Sequence, residues 1–169
     1  MKQLVNLFFD RRFSVHRTVL ALATLLFLVT APQLRAAEVD PFKTLLGSWK
    51  GSGTFSLQDG TRERISCNGY YTGGGSQLRL AILCSSSNNK IHMRGKLSHS
   101  AGRLSGDWEE RTYNAQGRLS GKATSSRLTM TISGVVSGTM IVSFRKRAQS
   151  VTIKTTGTAL KTVNIKLAR

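Results

Sequence analysis

The sequence predicts an all-β domain, an antiparallel meander of about eight to ten strands closing into a barrel, preceded by an export segment. Apolar and polar residues alternate with period two from about residue 48 to the end, and no helical periodicity competes with it. Clusters of Gly, Asn and Ser interrupt the alternation at hairpin spacing. One parity of nearly every strand is apolar and the other is Ser, Thr, Lys or Arg, as in a curled sheet with one face on a core. Closure would remove the exposed edges of so long a meander. A β-sandwich is the alternative architecture.

Residues 1–37 have the form of a signal peptide. Lys2, Arg11, Arg12 and Arg17 precede an apolar run from Val19 to Val29, and cleavage is expected after Ala36 or Ala37. That run is shorter than the roughly 20 residues of a spanning helix, so no membrane span is expected after cleavage. No cysteine follows it at the position of a lipid-modified N-terminus. Residues 38–169 then form one domain, periplasmic or extracellular.

Within that domain, Asp40 to Leu46 suits one helical turn, with Pro41 early and Gly47 as its stop. Trp49, Gly51, Gly53 and Phe55 share a face of the first strand. Ile65, Cys67, Gly69 and Tyr71 do so on the second, and Leu78, Leu80, Ile82 and Cys84 on the third, with Gly73 to Gly75 as the connecting loop. Ile91, Met93 and Leu97 mark a fourth strand, and Leu104 and Trp108 a fifth. Leu119 and Ala123, Leu128 to Ile132, Met140 to Phe144, Val151 and Ile153, and Val163 and Ile165 complete the series. The repeat Gly-Arg-Leu-Ser-Gly at 102–106 and 117–121 puts Gly106 and Gly121 on the inward parity, which fits bends in the sheet or free interior space.

If the second hairpin turns about Gly73 to Gly75, facing positions sum to 151, so Cys67 stands directly across from Cys84. Directly opposed positions have Cβ atoms about 4.5–5.5 Å apart, close to what a disulfide needs. A Cys67–Cys84 bond is expected, contributing about 3 kcal/mol for a loop of this span. A metal-binding pair would want a Cys-x-x-Cys spacing or a nearby His.

Catalytic and metal motifs are lacking. There is no Gly-x-Ser-x-Gly elbow, Walker loop or His-Glu-x-x-His run, and His92 and His99 are too far apart along a strand to chelate together. Ser87 and Lys90 match a Ser-x-x-Lys spacing, but in a polar connection rather than on a helix. These absences predict a protein that is not an enzyme, with no catalytic residue, metal or cofactor. Glu63 and Glu110 have the inward parity. Either each meets an inward Arg or the water of a barrel mouth, or one orients a ligand or acts as a catalytic acid. With Trp49 and Trp108 they are the candidate ligand contacts.

The N-terminal segment holds five of the 25 Lys and Arg residues and one of the eight Asp and Glu residues, which leaves residues 38–169 at +13. Such an excess favours polyanions, and export favours envelope polyanions over nucleic acid, which is not expected as a partner. Arg94 and Lys96 on a basic strand face, and the run Arg145-Lys146-Arg147, are the candidate contacts.

The segment from Asp40 to Gly53, followed by Asp59 to Cys67, resembles a family of small exported alphaproteobacterial proteins. That resemblance implies export and carries no activity. More loosely, a short turn followed by Gly47-Ser48-Trp49 at the start of a meander resembles the calycin barrels, namely lipocalins, fatty-acid-binding proteins and nitrobindin-like proteins. It implies a barrel with Trp49 plugging one end. Haem ligation in nitrobindin-like barrels uses a late histidine, and the last here is His99, so the resemblance does not extend to haem. Three functions fit. The barrel holds a small apolar or amphipathic molecule, or its basic surface binds an acidic glycan, lipopolysaccharide or anionic membrane, or the protein is a structural or stress-related envelope component without a small ligand.

Overall fold

Alternation along the chain becomes ten strands, β1 (Gly47–Leu57), β2 (Arg62–Gly74), β3 (Gln77–Ser85), β4 (Lys90–Ser100), β5 (Arg103–Glu110), β6 (Ala115–Ala123), β7 (Arg127–Gly134), β8 (Ser137–Arg145), β9 (Ala148–Thr156) and β10 (Leu160–Ala168). This computed structural model describes residues 40–169, and the expected export segment lies outside the described residues. Each strand pairs antiparallel with its sequence neighbour, and β10 returns to β1 to give a closed barrel rather than a sandwich. Among the described residues no helix is long and apolar enough to cross a membrane.

The inward parity buries Phe55, Ile65, Leu78, Leu97, Leu128, Met130, Phe144 and Leu167. Burying one such side chain fully contributes about 1.5–3 kcal/mol, and the turns are too short and polar to contribute comparably. Inward glycines let the wall curve. Gly51 lies between Cys67 on β2 and Leu167 on β10, and a Cβ there would meet the Lys166 carbonyl oxygen at 1.9 Å. Gly121 is equivalent, its absent Cβ lying 2.0 Å from the Thr129 carbonyl oxygen. Close strand approach therefore explains Gly121, and Gly106 likewise, its place taken by the Lys96 carbonyl oxygen at 2.1 Å.

The expected helical turn before β1 is a tight turn with no helix. The Asp40 carboxylate caps this turn, its Oδ1 accepting the N–H groups of Phe42 at 2.8 Å and Lys43 at 3.1 Å, and the Leu45 N–H closes it on the Phe42 carbonyl at 2.8 Å before Gly47, at φ 107°, turns the chain into β1. The turn drives Phe42 and Leu45, both without solvent exposure, into one end of the barrel. Trp49 closes beneath them, its indole N–H donating to the Leu45 carbonyl at 2.7 Å. Two tethers fix this plug. The other Asp40 oxygen accepts the Gly75 N–H at 2.8 Å, and Arg169 stacks its guanidinium 4.4 Å from the Trp49 ring centre while donating to the carbonyls of Leu46, Thr44 and Lys146.

Pairing of β2 with β3 follows the expected sum, with Tyr71 opposite Leu80, Gly69 opposite Ile82 and Cys67 opposite Cys84. The strands extend further than expected, through Gly73 and Gly74, leaving Gly75-Ser76 as the turn. Cys67 and Cys84 form a disulfide on the inner face with Cα atoms 4.1 Å apart. Such a bond fits an oxidising, non-cytoplasmic compartment. Native protein treated with a thiol alkylator without reductant is expected to gain no mass, and the Cys67→Ser/Cys84→Ser protein is expected to lose about 3 kcal/mol in denaturant unfolding.

Candidate functional site

With Phe42, Leu45 and Trp49 filling one end, the other end stays hollow. A cavity of about 530 Å³ runs down the barrel, lined by apolar side chains that include Phe55, Leu80, Ile82, Met93, Met140 and Ile153. Volumes of roughly 300–1,000 Å³ with such linings are typical of small-molecule sites. Leu80, Ile82, Met93, Met140 and Ile153 are each only partly buried, as expected of side chains that face free space instead of one another.

The mouth is formed by the turns opposite the plug. Asn89, between β3 and β4, bridges its rim, donating through Nδ2 to the Glu63 carboxylate at 3.3 and 3.4 Å and accepting the Tyr113 hydroxyl at 2.9 Å. Tyr113 and Val135 stand out beside it, 61% and 64% exposed. Leu57, Val136, Thr158 and Ala159 complete the lining there.

Glu110 occupies the same rim but is only 7% exposed. Its Oε1 accepts the backbone N–H groups of His92 at 2.7 Å and Thr112 at 3.1 Å, and its Oε2 that of Tyr113 at 2.6 Å. Among the described residues no inward arginine meets it, as one reading of the sequence had it; backbone N–H groups of β4 and of the β5–β6 turn are the donors. Burial pushes its pKa up, the N–H groups of His92, Tyr113 and Thr112 outweigh that, and the carboxyl lies below its ordinary value. Glu110 is therefore an ionised turn clamp beside the cavity.

The closed end of the cavity holds a polar pair within an apolar wall. Gln149 on β9 donates through Nε2 to the Tyr71 hydroxyl on β2 at 2.8 Å, and both residues line the cavity while being 3% and 4% exposed. Burial pushes the Tyr71 phenol up to about 12, against a smaller opposing effect of the Gln149 bond, so it stays protonated at any physiological pH. Gln149 Oε1 has no partner, and neither has Trp108 Nε1 on the wall. An unpaired buried polar atom costs about 1–3 kcal/mol, a cost the apolar wall around these two does not offset.

Of the expected ligand contacts, Trp108 and Glu110 line the cavity, Glu63 joins the rim network, and Trp49 is spent on the plug without lining it. Gln149 is not among the residues expected from the sequence. Its parity with Val151 and Ile153 is the signal that could have found it. Among the basic candidates, Arg94 pairs across strands with Glu109 and Lys96 with Asp107, while Arg145, Lys146 and Arg147 are exposed at the plug end between β8 and β9.

No family model matches this chain, and no curated protein matches it. Solved structures do. Rv2717c from M. tuberculosis aligns with a TM-score of 0.60 at 13% identity, covering 76% of this chain and 94% of that one. The S-type phycobiliprotein lyase CPES from Guillardia theta aligns with a TM-score of 0.52 at 15% identity, covering 76% and 89%. At such identities the likeness shows the fold alone, an antiparallel β-barrel. It also corrects the expectation that the protein is not an enzyme, because a lyase shares the barrel and missing sequence motifs do not rule out catalysis on it.

Glu110 sets an acid limit on stability. Since its folded value lies below the ordinary 4.5, its contribution is complete above that pH and is lost as pH falls through the folded value. Glu110→Gln is expected to cost about 1–3 kcal/mol at pH 7 in denaturant unfolding and to flatten the decline below about pH 4.5.

Proposed function

We propose that this is an exported protein of the cell envelope that holds a small apolar or amphipathic molecule inside its barrel. The observation that carries the reading is the apolar cavity of about 530 Å³, closed at one end by the plug and open at the Asn89–Tyr113 rim. A filled core would bring the inward side chains into mutual contact, whereas here Ile82, Met140 and Ile153 keep exposed surface. Supporting export are the signal-like segment 1–37 and the disulfide. The comparison with a lyase adds that the bound molecule is a candidate for chemistry as well as storage, and recovery of the ligand distinguishes the two. Incubation with an envelope lipid extract, followed by native mass spectrometry, is expected to show one small-molecule adduct per chain. Ile153→Trp, which fills the cavity, is expected to remove the adduct while the β-sheet circular dichroism persists. Spectra free of adduct across extracts would overturn the reading.

A second reading rests on a separate observation, the charge of the outer wall. Outward positions of β1, β2, β9 and β10 carry Lys50, Arg62, Arg64, Lys154 and Lys166 and no carboxylate among the described residues. Beside them Ser52, Thr54, Ser150, Thr152 and Asn164 line a shallow outer groove. This face suits an acidic envelope glycan better than the Arg94 and Lys96 row, which faces Glu109 and Asp107. Retention on heparin is expected to fall with added salt, and to weaken in Arg64→Ser/Lys166→Ser but not in Arg94→Ser/Lys96→Ser.

A further inference from the structure

The two ends of the cavity differ chemically. At the rim a molecule meets Asn89, Glu110 and exposed Tyr113, whereas at the closed end it meets Leu45, Leu78 and Leu128 around the Tyr71–Gln149 pair. Because Gln149 Nε2 donates to the Tyr71 oxygen, the phenol proton remains to be given and Gln149 Oε1 remains to accept. Turning the amide over exchanges the roles without cancelling them. Tyr71 then donates to Oε1 and keeps a free lone pair, and Nε2 becomes the unpaired donor. In either orientation the pair offers an acceptor together with donors, because Nε2 carries a second hydrogen.

We propose that Tyr71 and Gln149 read the polar end of a molecule bound head-first, selecting a neutral hydroxyl or primary amide over a carboxylate. This rests on the ligand-binding reading above and names the class of ligand. A group that both donates and accepts satisfies both free positions at once. A carboxylate only accepts, so it leaves Gln149 Oε1 facing a second acceptor and carries its charge into an apolar pocket. No cation compensates at this end. Arg94, the one Lys or Arg among the lining residues, is solvent-exposed on β4, and Arg169 lies across the plug on the Trp49 ring.

The inference separates ligands that differ only at the head. Isothermal titration of dodecanol, dodecanamide and dodecanoate at pH 8 is expected to give at least about tenfold tighter binding of the alcohol and amide than of the carboxylate, the size of one well-made hydrogen bond. Gln149→Leu is expected to erase that preference while the β-sheet circular dichroism persists, since it removes the unpaired Oε1 together with the bond to Tyr71. Tyr71→Phe is expected to act in the same direction and decides the matter if Gln149→Leu fails to fold. Equal binding of the three probes, a preference for dodecanoate, or a preference unchanged in the variants would overturn the head-group assignment and leave the cavity reading standing. Failure of all three probes to bind would overturn both.

Discussion

The barrel depends on β1 being narrow enough to pair on both sides. It pairs with β2 through Gly47 to Ser56 and with β10 through Lys50 to Leu57, and it does so with Gly51 and Gly53 at inward positions where the neighbouring strands carry Cys67, Ile65, Leu167 and Ile165. At both glycines the β10 carbonyls lie about 2 Å from where a side chain would begin. Any side chain there forces β10 outward, and without that contact the sheet has two edges and no interior. The glycines that look like weak points in a strand are the positions that let the sheet meet itself.

Closure alone would leave a tube open at both ends, and the short segment before β1 breaks that symmetry. Asp40 folds the turn and ties it to Gly75, Phe42 and Leu45 enter the end, and Arg169 clamps the turn from the far side of the β1–β10 seam. The opposite end has no such insert, so its turns must satisfy their own polar groups. Glu110 does this by taking three backbone N–H groups, and Asn89 by linking Glu63 to Tyr113. One end is therefore sealed and the other open, with the Tyr71–Gln149 pair as the polar group on the wall near the sealed end.

Much of this was legible because a strand has period two. Parity placed the strands, and a single hairpin centre put Cys67 across from Cys84. It also set Glu63 and Glu110 inward. What parity could not supply was partners. Glu110 is held by backbone N–H groups, which every residue but proline possesses and which leave no trace in composition. Arg169 reaches Thr44 and Leu46 across nearly the whole described chain, a contact only the closed barrel creates. Gln149 is not among the residues expected from the sequence, and its bond to Tyr71 joins strands that are not neighbours in the wall.

The pairing scheme also fixes an order of events in folding. Every strand pair among the described residues joins sequence neighbours except β1 with β10, so nine hairpin contacts can form locally, each closing a short loop at small entropic cost. The tenth must wait for the whole chain. A polypeptide emerging N-terminus first would hold β1 half-paired until β10 arrives, with the plug turn unclamped because Arg169 follows β10. Such an intermediate is an open, curling ribbon whose apolar concave face is bare, and its lifetime is set by the last strand to appear rather than by the first.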